Sequence, residues 1–324
     1  MEWMTKVEIK PLKRGISYED QILSLGSCFA DNIARKLSQA KFRVEASPTG
    51  ILFNPYSIAE AIERCHSSEC KISQSEMINT SGIWSHYDFH SSFSDVDAGI
   101  AQDKMQGALK ASKEALQQAN IVIITFGTAW VYRLKESGKV VANCHKQPQR
   151  IFERELLCAE AIAKRYIELL QGALSGKHVI FTLSPVRHLG DGLEGNSLSK
   201  ATLRVAINQI VEHCTNAEYF PSYEIQNDEL RDYRFYAEDM THPSSQAVDY
   251  IWERFCSVAF DAEQKELIRE VATITSAAEH RPFNPQSESH RTFCQNMIGK
   301  ITSLQERLPF ADFAEEIERF NTYL

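Results

Sequence analysis

The chain has 324 residues, 43% of them hydrophobic, and a formal net charge of −8. The hydrophobic share is enough for a substantial core and excludes a disordered polar chain. An acidic chain without a dense Lys/Arg block is disfavoured as a nucleic-acid binder. Eight cysteines are too sparse for a disulfide scaffold, and Met1–Gly15 lacks the apolar stretch of a secretion signal. The most apolar run, Ile121–Tyr132, is far short of the ~20 residues a membrane helix needs. The expectation is a cytoplasmic protein with free thiols and no membrane partner.

Five short apolar runs read as buried parallel strands: Ile22–Leu25, Phe42–Ala46, Ile121–Phe126, His178–Leu183 and Glu218–Tyr223. Helical spacing lies between them. Ala30, Ile33, Ala34 and Leu37 share one helical face, and Ala108–Gln118 and Leu156–Leu174 precede the third and fourth runs. Ala247, Val248, Ile251, Trp252 and Phe255 repeat the pattern. Residues 54–106 form a long insertion rich in Ser, His and aromatics, including Trp84-Ser85-His86-Tyr87-Asp88-Phe89-His90. After residue 260 the strands stop. Residues 262–276 and 287–324 look helical, separated by the breaker Arg281-Pro282-Phe283-Asn284-Pro285. Alternating strands and helices predict a three-layer α/β/α sandwich with a five-stranded parallel sheet over residues 1–260. A helical extension, 261–324, packs on it. Such folds carry their sites at the carboxyl ends of the strands.

The first strand runs through Gly26-Ser27-Cys28-Phe29-Ala30 into a helix. Ser27 there is either a simple N-cap or a nucleophile placed where helix amides stabilise an oxyanion. Past the last strand stands Asp239-Met240-Thr241-His242, followed by Pro243 and a helix. In such a turn the Asp carboxylate can reach Nδ1 of the same His and leave Nε2 free to take a serine proton. The alternative is a turn-capping Asp beside a surface His. Cys28 as a thiol nucleophile ranks lower, because it packs inward if Ser27 faces the cleft. Cys65, His66 and Cys70, with Cys144 and His145, match no standard zinc spacing, so no metal is expected. His86, His90, His145 and His188 could line a cleft and bind a polar substrate, and Arg187 could meet a carboxylate or phosphate. Without a Walker-type loop or a dinucleotide fingerprint, no nucleotide cofactor is implied.

Together these segments resemble a known family. Gly26-Ser27-Cys28-Phe29-Ala30 is the signature from which the GSCFA family takes its name. The chain is also similar to that family at Gly50-Ile51-Leu52-Phe53-Asn54-Pro55, Phe126-Gly127-Thr128-Ala129-Trp130 and Asn143-Cys144-His145-Lys146. Ser184-Pro185-Val186-Arg187-His188 and Arg231-Asp232-Tyr233-Arg234-Phe235-Tyr236 extend the likeness over roughly residues 20–260. The family is similar to the SGNH, or GDSL-like, hydrolases: esterases, lipases and carbohydrate deacetylases with a flavodoxin-like sandwich.

The resemblance implies Ser27 as nucleophile, Asp239 and His242 as acid and base, and the N–H groups of Ser27 and Gly50 in the oxyanion hole. One signature is broken. Where those hydrolases carry Gly-x-Asn-Asp, this chain has Gly127-Thr128-Ala129-Trp130, with Ala in place of the donor Asn. Losing one oxyanion donor removes ~10²–10³ in rate, so a substitute is expected. Thr128 or Asn143 is the favoured one, with Asn54 and His90 on nearby loops. The implied activity is cofactor-free hydrolysis of short-acyl (O-acetyl) esters on a carbohydrate or similar polar molecule. Asn54, His90, His145, Arg187 and His188 are its substrate-binding candidates. The alternatives are an acyltransferase with the same triad and an inactive carbohydrate-binding protein.

Overall fold

The computed structural model describes residues 4–67 and 70–324. Met1–Trp3, at the head of the polar N-terminal stretch, and Ser68 and Glu69 of the insertion lie outside the described residues. Five strands form a parallel sheet: β1 (Gln21–Gly26), β2 (Arg43–Ala46), β3 (Ile121–Phe126), β4 (His178–Leu183) and β5 (Ala217–Phe220). Their order is β5-β4-β3-β1-β2. Gly26 pairs with Thr125 and Phe126 with Leu183, so the carboxyl ends of the three central strands come level. The topological switch lies between β1 and β3, where doubly wound sheets bind their ligands. The fifth strand is shorter than its apolar run because Pro221 ends it and Ser222–Glu224 turns helical.

Side chains alternate between two cores, which is why the runs are apolar without a break. Val122, Ile124, Phe126, Val179, Phe181 and Leu183 point to one face. That face is covered by α2 (Pro55–His66), α3 (Ala98–Gln118), α4 (Ala159–Gln171) and α5 (Gly192–His213). Ile22, Ile121, Ile123, Ile180 and Phe220 point to the other, against α1 (Cys28–Gln39) and α6 (Ser245–Ala259). The C-terminal helices α7 (Ala262–Glu279), α8 (Glu288–Arg307) and α9 (Ala314–Asn321) extend this second core through Val271, Ile274, Ile301 and Leu304. Lys41 bonds Glu316 at 2.8 Å, and the Arg43 guanidinium lies 3.8 Å over the Phe310 ring. The extension is thus docked on the sandwich.

Several elements depart from their apolar pattern. The insertion is less loop-rich than its composition predicts, because it contains α2 and the start of α3. Asn54 caps α2 by accepting from Ser57 N at 2.8 Å, with Pro55 in the first turn. The helix expected from Leu156 starts at Ala159, because Phe152–Leu156 pairs with Trp130–Leu134 in a small antiparallel sheet. α5 has no counterpart in the sequence reading. Among the described residues no helix is long and apolar enough to cross a membrane.

Candidate active site

The site begins at the β1–α1 turn. Gly26 has φ 132°, and a Cβ there would lie 2.2 Å from the Thr125 carbonyl oxygen, so glycine is required. The chain can then swing Ser27 onto the helix end, where its Oγ accepts from Phe29 N at 3.3 Å. The loop after β2 crosses these strand ends. Leu52 N donates to Gly26 O, and Gly127 N and Thr128 N both donate to Phe53 O, at 2.8–2.9 Å. Ser27 lies beneath this loop and is fully buried. Its neighbour Cys28 is half-buried and packs against the second core, in the inward direction expected from the sequence. The N-cap role folds the serine side chain back over the helix end. Burial, followed by the nearby Asp31 charge, raises the Cys28 pKa, so its thiol is not activated.

Asp239 and His242 form the second half. Asp239 Oδ2 lies 2.6 Å from His242 Nδ1, while Oδ1 accepts from Thr241 N at 2.9 Å and His242 N at 3.0 Å. These contacts, the two backbone donors first and then the ring, hold the carboxylate well below the ordinary Asp range. Ala237 N donates to His242 O at 2.8 Å and closes the turn, with Met240 at φ 55°. Both side chains are about half exposed. With Nδ1 engaged, the ring keeps Nε2 free of protein partners among the described residues.

Gly127 and His188 join the halves. A Cβ on Gly127 would sit 2.8 Å from Phe53 O, 3.2 Å from His188 Nε2 and 3.3 Å from Ser27 Cβ, so three groups converge where only a hydrogen fits. Burial, then the Lys200 charge, pulls the His188 pKa down to about 4, with His242 among the weaker contributors. Arg187 N donates to Thr241 O at 3.1 Å, so the loop that carries His188 meets the Asp239–His242 turn at the carboxyl edge of the sheet. No hydrogen bond links Ser27 Oγ to His242 among the described residues; the Phe53 and His188 rings meet edge-to-face at 5.7 Å.

The remaining candidates divide. Thr128 Oγ1 contacts Ser199 Oγ at 3.1 Å and accepts from Trp130 N at 3.1 Å. Asn143 Oδ1 accepts from His145 N at 2.9 Å, and the Gly50 amide goes to Ser47 O at 2.6 Å. Ser27 N makes a longer bond, 3.2 Å, to Thr125 O. Asn54 is a helix cap, and His145 Nε2 lies 2.8 Å from His86 O, bracing the insertion. His90 packs on Gly50, with its Nδ1 3.0 Å from Ser92 Oγ. Arg187 keeps its charge over Tyr236 (4.0 Å) and Tyr233 (5.3 Å), without an acidic partner among the described residues.

α5 contributes residues that the sequence reading missed. Its buried Lys200 donates to Gly127 O and Ser184 O, each at 2.7 Å, and so ties the loops after β3 and β4 together. Burial pulls that ammonium down to about 7. Next to it, Ser199 Oγ accepts from Ala129 N at 2.7 Å, and one turn earlier Asn196 Oδ1 accepts from His188 N at 2.9 Å. A signal was there to find: the apolar stripe Leu203, Ala206, Ile207, Ile210, extended backwards, lands on Asn196, Ser199 and Lys200. Polar residues on a buried face are held by something, and here they hold the site.

No curated protein and no solved structure matches the chain. The model of the GSCFA C-terminal domain matches residues 271–324, most of the docked helical extension. The GSCFA family model matches residues 21–255, which include Ser27, Gly127, His188, Lys200, Asp239 and His242, and the chain therefore belongs to the GSCFA family.

Proposed function

We propose that this protein is a serine hydrolase of short-acyl esters carried on a polar alcohol, with Ser27 as nucleophile, His242 as base and Asp239 as its orienting partner. The observation that carries this reading is the Asp239–His242 turn. Its 2.6 Å contact fixes the ring and leaves Nε2 to take a proton at the strand ends where Ser27 caps α1. As Ser27 Oγ attacks the acyl carbon, its proton passes to His242 Nε2. The same proton then goes to the leaving alcohol, and water releases the acyl group by the reverse path. The Ser27 amide, at the long end of the hydrogen-bond range, can be drawn to the acyl oxygen. The cover over Ser27 must open for substrate to reach the buried hydroxyl.

For the alcohol, the unpaired Arg187 cation and the exposed Tyr233 ring beside the His242 turn favour a polar or acidic molecule such as an acetylated sugar. The insertion contributes less than its composition promised, since His86 and Phe89 are buried and pack on each other edge-to-face at 5.5 Å.

The buried serine favours a second reading, a binding protein that retains the fold without turnover. Incubation with a serine-directed fluorophosphonate, followed by peptide mapping, separates the two. The hydrolase reading expects labelling at Ser27 and turnover of short acyl esters that Ser27→Ala abolishes. An unlabelled Ser27, or equal turnover by both proteins, overturns it.

A further inference from the structure

An oxyanion needs donors that the ground state leaves free and that point where charge develops. The amide of Gly50 and the side chains of Thr128 and Asn143 already have protein partners. Ala129 has no polar side chain. His188 Nε2 is different: it is buried and has no hydrogen-bond partner among the described residues. Buried polar atoms are almost always paired, and an orphan in a strand-end cluster is where an incoming group would complete the set.

The ring is also held in place. Asn196 Oδ1 takes the His188 amide, Lys200 takes the carbonyl of Ser184 on the same loop, and the Phe53 ring meets the imidazole edge-to-face. Nε2 therefore stops against Gly127, at the same point where Ser27 Cβ packs.

We infer that His188 is a catalytic residue, the side-chain donor of the oxyanion hole, standing in for the asparagine missing at Ala129. The inference rests on the hydrolase reading above. When Ser27 Oγ forms its bond to the acyl carbon and its proton moves to His242 Nε2, the carbonyl π pair moves onto oxygen. That oxygen accepts from His188 Nε2–H. When the pair returns, the bond to the leaving alcohol breaks and His242 supplies the alcohol's proton. His188 keeps its own proton throughout, and the environment favours this: burial and the Lys200 charge keep the ring neutral, so it donates without becoming an acid.

The test compares His188→Leu and His188→Gln with wild type on a short acyl ester, together with ¹⁵N NMR of the histidine rings in the full-length protein. Leucine should lower kcat ~10²–10³-fold at nearly constant KM. Glutamine, whose amide nitrogen reaches the position of Nε2, should recover much of the loss. The wild-type spectrum should show His188 neutral with the proton on Nε2 between pH 6 and 9. Wild-type kcat in His188→Leu, or a proton on Nδ1 in that spectrum, overturns the assignment even where a variant fails to fold. Failure of the hydrolase reading looks different, because there the wild-type protein itself neither turns over nor labels at Ser27.

Discussion

The two halves of the site are built in opposite ways. Asp239 and His242 are half exposed, and their contacts stay within a few residues of one turn. Ser27, Gly127, His188 and Lys200 are buried or half buried and held by contacts between segments tens of residues apart. On the proposed hydrolase reading, an exposed local turn sets chemistry and bears little of the fold. A buried long-range cluster does both, so a change in it registers in stability as well as in rate. Substitutions in the two halves should therefore give different signatures.

The largest separation is expected from Asp239→Asn. An amide in place of the carboxylate favours the wrong His242 tautomer, and kcat should fall by as much as ~10⁴-fold. Stability should hardly move, because the turn is solvated and its contacts are local. Ester turnover beside a urea unfolding curve reads both. A large loss of stability here would break the contrast between the halves.

The same contrast explains what could be read from the sequence. The β1–α1 turn, the five strands and the Asp239–His242 turn are local patterns: apolar runs, a glycine before a capping serine, an acid three residues before a base. The burial of Ser27 was not legible, because Thr125 and Gly127, whose backbones meet it, are 98 and 100 positions away and reach it only through the sheet register. Nor was α5. Its first turns, Gly192-Leu193-Glu194-Gly195-Asn196-Ser197, are poor in helix formers, and its apolar face gives way to Asn196, Ser199 and Lys200 where it meets the strand-end loops. Tertiary hydrogen bonds to carbonyls and amides of those loops stabilise what propensity alone does not. The expected substitutes for the missing asparagine are Thr128, adjacent to Ala129, and Asn143, on a loop that could reach in; the structure shows both with other partners.

Next in size is Lys200→Met, a buried-half change. It leaves the carbonyls of Gly127 and Ser184 without a donor, at about 1–3 kcal/mol each, partly offset by removing a buried ammonium. A net loss on the order of 2 kcal/mol should appear as a lower urea midpoint at unchanged slope. The pH dependence carries a sign. Lys200 titrates near 7 in the folded protein and at its ordinary 10.5 when unfolded, so between those values the unfolded chain holds more protons. Wild-type stability should therefore gain a contribution from this group as pH rises from about 7 towards 10.5, and Lys200→Met should lose that slope.

Gly127→Ala probes the same cluster more gently. The new Cβ meets the Phe53 carbonyl at 2.8 Å, and that oxygen is fixed by the amides of Gly127 and Thr128. Overpacking of this kind costs about 1–3 kcal/mol. Because the methyl would also push against His188 Nε2 and Ser27, esterase activity should fall along with the thermal midpoint. That joint response is the one the exposed turn should not show.

The smallest effect is the most specific to His188. Its folded pKa of about 4 lies below the ordinary 6.5, so between these values the unfolded chain takes up the proton that the folded chain refuses. The contribution is full above about 6.5 and is lost as pH falls towards 4. For a half-buried ring, solvent screening leaves it at about 1–2 kcal/mol. His242 shares the site but is half exposed, with a carboxylate on Nδ1. Urea midpoints of wild type and His188→Leu between pH 4 and 7 should converge towards the acid end, as the wild-type contribution disappears. Parallel curves would mean that the ring charges freely where it stands, and would remove the neutral donor from the buried half.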